Sequence, residues 1–196
     1  MMIYQNVIFG VTNSDLVEIN KNELAARLKC DVDISNEAVS SYIKIFNENV
    51  TYRYAYIKIP FSQDNNMCYF GNSKVESKAL SMVLNGSKDV YLMAVTSGIS
   101  IDKLIAKYSL LNPVASFYMD AIASAAIESY ADYINEEICK NLNTTKRFSP
   151  GYADFPLEFQ KSLLEYINAK ETLGIELTKD LLMIPRKSIT AVIGVK

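Results

Sequence analysis

The sequence contains no histidine and only three cysteines among its 196 residues. Without histidine, the chain alone cannot form a Ser-His-Asp or Cys-His catalytic site, a histidine-ligated zinc site or a histidine ligand to cobalt. Cys30, Cys68 and Cys139 are widely spaced and form no C-x-x-C pair, which argues against a disulfide framework or a thiolate metal site. We therefore expect no bound metal, no catalytic residues of these classes and a reducing, cytoplasmic location.

The sequence also lacks the signals of several other classes of function. No two of the seven glycines are closer than twelve residues, so neither G-x-G-x-x-G nor a P-loop is present. The formal net charge of −2 lacks the basic excess of a nucleic-acid binder. Asp120, Glu128 and Asp132 interrupt the most apolar segment, 113–134, which therefore does not qualify as a membrane span. We expect no nucleic-acid partner and no membrane partner.

The order of strand-like and helix-like segments indicates the fold class. Separated strands alternate with helices, and at least one strand buries a single face, which favours an antiparallel sheet over a doubly wound parallel one. The prediction is an α+β fold, with a twisted antiparallel β-sheet and flanking helices, one of them long. The length fits a single domain over residues 1–196, in which we distinguish an N-terminal strand and helix part, 1–85, from residues 86–196.

Several elements of the first half follow from local patterns. In "DLVEINKNELAARLKC", Asn20 and Glu23 have capping-box spacing at the start of a helix, and a short strand is expected before them. "YRYAYIKIPF" alternates strictly and predicts a half-buried strand that ends at Pro60, with its tyrosines packed in the sheet. "MCYFG" is expected to be its antiparallel neighbour.

The sequence from residue 73 onward predicts further helices and strands, including one helix of unusual length. "SKVESKALSMVLNG" is expected to be an amphipathic helix ending at Gly86, and "DVYLMAVTSG" a buried strand. Pro113 suits the first turn of a long helix running to about Leu142, whose carboxylates we expect to be solvated. Asp154 is a candidate N-cap for the helix in "LEFQKSLLEYINA", and two β-like runs flank Pro185.

The loop "RFSPGY", residues 147–152, combines groups suited to ligand binding. Arg147 offers a planar set of donors for a carboxylate, and Pro150 stiffens the backbone. Gly151 permits close approach of a ligand, and Tyr152 offers a flat face with a polar tip. Together they could clamp a small zwitterion bearing an aromatic ring. The alternative is an ordinary helix-connecting loop with a surface arginine.

"RFSPGYADFPLEFQ" and the tail "LLMIPRKSITAVIGV" resemble the C-terminal half of the activation (reactivation) domain of cobalamin-dependent methionine synthase, and more closely its stand-alone relatives. "YLMAVTSGISIDKLIAKY" and "ESYADYINEE" extend the resemblance to about residues 90–196. The sequence departs from the family pattern directly after Tyr152, at Ala153, Asp154 and Phe155.

The resemblance implies a binding site for S-adenosylmethionine (AdoMet), because an Arg-x-x-x-Gly-Tyr loop binds AdoMet in that family. It implies that Arg147 pairs with the carboxylate of AdoMet and that backbone groups near Ser149 and Gly151 meet the adenine. It also implies that Tyr152 packs against the ligand and that Glu128 faces its ammonium group.

The implied function is that of an activation component rather than a complete enzyme. The module presents AdoMet so that one electron and a methyl group convert cob(II)alamin to methylcobalamin. Cobalamin would be present only on a partner, a methionine synthase or another corrinoid protein, and the electron would come from a flavodoxin-like or other one-electron reductant. Two alternatives remain open: an activator of another corrinoid methyltransferase, or a non-catalytic interaction protein that no longer binds AdoMet, which the departures after Tyr152 favour.

Overall fold

The computed structural model describes residues 6–29 and 37–196, so Cys30 lies outside the described residues. The elements in chain order are β1 (Ile8–Thr12), α1 (Lys21–Leu28), α2 (Glu37–Asn49), β2 (Tyr52–Asp64), β3 (Met67–Phe70), β4 (Ser73–Glu76), α3 (Lys78–Val83), β5 (Asp89–Thr96), α4 (Ile99–Leu111), α5 (Pro113–Cys139), α6 (Phe159–Tyr166), α7 (Ala169–Leu173), β6 (Glu176–Leu177), β7 (Met183–Ile184) and β8 (Ser188–Val195).

Six of the strands form one curled antiparallel sheet in the order β4-β3-β2-β5-β8, with β1 paired to the first part of β2. Helices α1, α2, α4 and α5 contribute to the core on one face, and α3, α6 and α7 contribute to the core on the other. This arrangement confirms the predicted α+β class, the antiparallel sheet and the long helix. Among the described residues, no helix is both long and apolar enough to cross a membrane.

Strand β2 does not end at Pro60, as its sequence had suggested, but continues to Asp64. The Phe61 N–H donates to the Lys88 carbonyl at 2.9 Å, on the side of β5. Because successive residues of a strand present their N–H groups to opposite sides, the Pro60 nitrogen faces the other edge. On that edge β1 pairs with β2 only as far as Tyr56, and β3 pairs with β2 only from Phe61 onward, so the proline lies where no ladder N–H is needed.

The tyrosines of β2 pack in the sheet, as predicted. Tyr52 is buried and its ring centroid lies 4.4 Å from that of Tyr130 on α5, while Tyr54 and Tyr56 pack against the same core. On the opposite face of β2, Ala55, Ile57 and Ile59 belong to the second core. The strand is therefore covered on both faces only near residues 52–56, and from Lys58 onward it is buried on one face, as predicted.

Asn20 caps α1 as predicted, and its side-chain oxygen accepts from the N–H groups of Asn22 and Glu23 at 2.9 and 3.1 Å. The return hydrogen bond of the capping box, from the Asn20 N–H to the Glu23 side chain, is replaced by two other contacts. Glu23 pairs with Arg27 at 2.6 Å, and the Asn20 N–H donates to Ser129 Oγ on α5 at 3.0 Å. The cap therefore fastens α1 to the long helix.

Three element predictions need correction. The strand expected before α1 is a 3-10 turn, Ser14–Leu16, followed by extended chain, and the pairing strand is the earlier β1. The segment expected as one helix before Gly86 divides into β4, which pairs with β3, and α3. Helix α5 begins at Pro113 as predicted, with Asn112 as its cap, but ends at Cys139 rather than Leu142.

Asp154 does not cap the helix that follows it. Its Oδ1 accepts from Ser77 Oγ at 2.6 Å and from the Ala79 N–H at 3.0 Å, and its Oδ2 accepts from the Lys78 N–H at 2.8 Å. The loop after Tyr152 folds back onto the start of α3, so the carboxylate meets that helix N-terminus instead. The hydrogen bonds from Ser77 and these backbone groups lower the pKa of Asp154.

Replacing Asp154 with asparagine is expected to lower the melting temperature by about 2–4 °C at neutral pH. Because the folded pKa lies below its ordinary value of 3.8, the stabilisation is present above that value and is lost as pH falls through the folded pKa. The difference between the variant and the wild type should therefore shrink in acid. Thermal melts at pH 7 and pH 3 check this, with exposed Asp180→Asn as the control. Equal melting temperatures at pH 7 would show that the cap is unimportant.

Candidate functional site

The loop 147–152 is held in place by an irregular segment, 143–148, that runs along the outer edge of β8. The Thr145 N–H donates to the Gly194 carbonyl at 2.9 Å, and Phe148 and Val192 exchange two backbone hydrogen bonds of 2.9 Å. The Gly194 N–H in turn donates to Thr145 Oγ1 at 2.8 Å. A side chain at Gly194 would collide with Ser87 and Thr145, so this close approach requires glycine.

Residues after Arg147 form a compact turn that is closed by Phe155. The Gly151 N–H donates to the Phe155 carbonyl at 2.8 Å, and the Phe155 N–H donates to the Tyr152 carbonyl at 3.0 Å. Gly151 has a φ of +90°, a left-handed conformation that favours glycine, and a Cβ there would lie 3.3 Å from Leu157 Cδ1. The glycine is therefore explained by backbone conformation, and its N–H is already used within the loop.

Arg147 is clamped by two carboxylates of α5. Its Nη2 lies 2.8 Å from Glu128 Oε2 and 3.1 Å from Asp132 Oδ1, and its Nε donates to the same Asp132 oxygen at 3.2 Å. Glu128 and Asp132 are four residues apart and so lie on one face of the helix. The side chain of Arg147 is 23% exposed, whereas that of Asp132 is 63% exposed.

The charge of Arg147 is secured by this clamp. Burial lowers the pKa of the guanidinium, but the hydrogen bond to Glu128 and the attraction of Asp132 and Glu128 outweigh it, so the pKa is raised overall. Two carboxylates against one guanidinium leave a net negative charge on the cluster. A bound group carrying positive charge would be attracted to the carboxylates, while Arg147 remains a donor for an anion.

The clamp borders a cleft of about 610 Å³ between α5, the 147–152 loop, β7 and the start of β8. This volume falls within the roughly 300–1,000 Å³ of typical small-molecule sites. Four of the five predicted site residues line the cleft, namely Glu128, Arg147, Ser149 and Tyr152, while Gly151 supports the loop behind it. The Tyr152 side chain, 64% exposed, lies at the rim.

The open edge of β8 supplies further polar groups. Both backbone groups of Val192 bond to Phe148, on the side away from β5. Alternate residues of a strand present their backbone groups to the same side, so those of Ser188 and Thr190 also face away from β5, where both residues line the cleft. Thr190 Oγ1 is hydrogen-bonded to Gln160 Oε1 of α6 at 3.3 Å.

Asp132 is the residue that sequence reasoning missed. We expected Asp132 and Glu136 to form a solvated face, and Asp132 is 63% exposed, yet it accepts a hydrogen bond from Arg147 Nε and forms an ion pair with Nη2. The available signal was its spacing from Glu128, which places both carboxylates on one side of α5. The sequence does not show that the loop, fifteen residues further on, returns to that side.

A family model described as "Vitamin B12 dependent methionine synthase, activation domain" matches residues 80–196. The chain belongs to this family. The match begins slightly before the predicted limit of about residue 90 and includes α5, the 147–152 loop and β8. Membership in the activation-domain family thus rests on the part of the chain that builds the cleft.

Among solved structures, the chain is similar to one titled "Crystal Structure of the MetH Reactivation Domain bound to AdoHcy". The two are 15% identical with a TM-score of 0.74, and the similarity covers 96% of this chain and 78% of the other. At this identity the likeness shows the fold alone. It extends the activation-domain fold to the N-terminal elements, where the sequence resemblance was slight. No curated protein matches the chain in sequence.

Proposed function

We propose that the chain binds AdoMet in the cleft and presents its methyl group to a corrinoid held by another protein. The observation that carries this proposal is the position of Arg147, clamped by Glu128 and Asp132 at the border of a cleft large enough for a small molecule. Family membership supports it, as does the AdoHcy named for the protein of similar fold.

The chemistry of the cleft fits the two ends of AdoMet. The methionyl end carries a carboxylate, which Arg147 can receive, and an ammonium group, which Glu128 can receive directly or through water. The adenosyl end would lie against backbone groups near Ser149 and Gly151, and the Tyr152 ring would pack against the ligand. These assignments place the positive charge of the ligand beside the carboxylates of α5.

The protein's contribution is to bind and orient the ligand. AdoMet already carries an activated methyl group, so the chain needs to supply position rather than acid or base chemistry. We propose that the corrinoid arrives on a separate methionine synthase, and that the electron comes from a flavodoxin-like or other one-electron reductant. A cytoplasmic location and a single-domain organisation stay predictions.

The test of this proposal is reactivation in trans. A methionine synthase that lacks its activation domain would be prepared in the cob(II)alamin form and mixed with AdoMet, a one-electron reductant and this chain. We expect the absorption spectrum of methylcobalamin to appear faster with the wild-type chain than with Arg147→Ala or without the chain.

The possible failures point to different alternatives. AdoMet binding without reactivation of methionine synthase would favour another corrinoid methyltransferase as the partner. A chain that neither binds AdoMet nor reactivates the enzyme would instead be an interaction protein that has kept the fold. Both results would contradict the proposed function in its stated form.

A further inference from the structure

Asp132 occupies one particular edge of the Arg147 guanidinium. Nε donates to Asp132 Oδ1 at 3.2 Å, and Nη2 donates to Glu128 Oε2 at 2.8 Å. The same Asp132 oxygen also lies 3.1 Å from Nη2 as an ion-pair contact. Nη1 makes no hydrogen bond or ion pair with any residue in the described ranges 6–29 and 37–196. The guanidinium therefore has one occupied edge and one free nitrogen.

The second carboxylate changes what Arg147 can do. With Glu128 alone, contact at a single nitrogen would let the guanidinium turn, and an incoming carboxylate would compete for the same Nη2. The hydrogen bond from Nε to Asp132 adds a second point of attachment to the one from Nη2 to Glu128, and two attachments at different nitrogens fix the plane of the group. Since both carboxylates stand on α5, a helix of 27 residues, the arginine is oriented by a regular element rather than by its own loop.

We propose that Asp132 is a positioning residue that holds the Arg147 guanidinium so that Nη1 receives the carboxylate of the ligand. The proposal rests on the proposed AdoMet function and adds a residue to that site. Asp132 does not touch the ligand. Its role is geometric, so an uncharged acceptor at the same place should replace it, whereas loss of the acceptor should not be tolerated.

Positioning by Asp132 and repulsion by its charge predict opposite changes in AdoMet affinity, which makes the proposal testable. Asp132 and the ligand carboxylate are both negative, so a purely electrostatic role for Asp132 would weaken the binding of AdoMet, and its removal would strengthen binding. Asp132 is largely exposed, so solvent screens this repulsion. We expect the ordering of Arg147 to outweigh it, since fixing one long side chain in advance is worth about three- to tenfold in affinity.

The experiment compares two ligands on four proteins. AdoMet and decarboxylated AdoMet would be titrated into wild type, Asp132→Ala, Asp132→Asn and the control Glu136→Ala, an exposed residue of the same helix. Asp132→Ala should weaken AdoMet binding about three- to tenfold and leave decarboxylated AdoMet unchanged. Asp132→Asn, which keeps the acceptor oxygen, should restore AdoMet binding to within about twofold. Thermal melts would confirm that all four proteins are folded.

Other results would overturn the proposal in distinguishable ways. Equal losses for both ligands would mean that Asp132 only supports the loop. Equal losses of AdoMet binding in the alanine and asparagine variants would mean that a neutral acceptor does not hold Arg147 in place. Unchanged or stronger AdoMet binding by Asp132→Ala would exclude positioning while leaving AdoMet binding in place. If the wild type itself binds no AdoMet, the proposed function fails together with this one.

Discussion

Replacing Arg147 with alanine is expected to weaken AdoMet binding by about 1.5–3 kcal/mol, roughly 10- to 150-fold. The substitution removes the only cation that stands between the two carboxylates of α5 within the described site. It would leave Glu128 and Asp132 uncompensated beside the carboxylate of the ligand. The loss therefore includes both the missing charge-assisted hydrogen bond and a new repulsion. Equilibrium dialysis with labelled AdoMet measures this effect directly.

A matched control separates binding from stability. Arg27 also pairs with a carboxylate, Glu23, at 2.6 Å, but lies on α1 and does not line the cleft. Arg27→Ala loses one ion pair and Arg147→Ala loses two, and Arg27→Ala shows what the loss of a cation outside the cleft does to the protein. We expect AdoMet affinity to be unchanged in Arg27→Ala. Equal affinities for the Arg147 variant and the wild type would remove Arg147 from the site.

Replacing Phe155 with alanine is expected to cost about 3–5 kcal/mol of unfolding free energy. Phe155 is 1% exposed, stacks on Phe148 with ring centroids 5.9 Å apart, and contacts Phe159 at 5.3 Å. Truncation would leave a cavity under the 147–152 loop, where partners on both sides are held by backbone hydrogen bonds. Because the Gly151 N–H bonds to the Phe155 carbonyl, the loop should also become less ordered.

Chemical denaturation of Phe155→Ala beside Phe117→Ala checks this expectation. Phe117 lies on α5 and is 53% exposed, so its truncation should change stability by less than about 1 kcal/mol. In Phe155→Ala, AdoMet affinity should fall even under conditions where the variant is fully folded. A loss of stability with unchanged affinity would show that the loop keeps its form without the ring beneath it.

Two of the three residues that depart from the family pattern make contacts that stabilise the fold of this chain. Ala153 has a positive φ of 51°, Asp154 caps α3, and Phe155 fills the second core. The departures had favoured an interaction protein that lost AdoMet binding. Their roles lie in the fold beneath the loop, while Arg147 and Tyr152 still line the cleft. These roles give the departures a structural reason, and the alternative of an interaction protein stays open to the binding test.

Local patterns predicted the elements whose signals are local. Strict alternation predicted β2, and Pro113 predicted the start of α5, because periodicity and helix-start preferences act within one element. The errors arose where a segment distant in the sequence determines the local structure. Pro60 is tolerated because β1 and β3 leave a gap opposite it, and Asp154 caps a helix 76 residues earlier in the chain.

The same distinction holds for the site. The resemblance supplied Arg147 and Glu128, and the structure shows them in contact. The contact of Asp132 with Arg147 depends on the pairing of residues 143–148 with β8, which turns the loop toward α5. No pattern within α5 or within the loop encodes that pairing. The sequence therefore showed only that Asp132 lies four residues after Glu128, and the folded structure was needed to show its contact with Arg147.

The most direct test of AdoMet binding is isothermal titration of the wild-type chain with AdoMet. We predict one site with a micromolar dissociation constant, about −8 kcal/mol. A thermal shift should accompany it, because a ligand that binds only the folded state stabilises that state. No heat and no thermal stabilisation at millimolar AdoMet would contradict the proposed site.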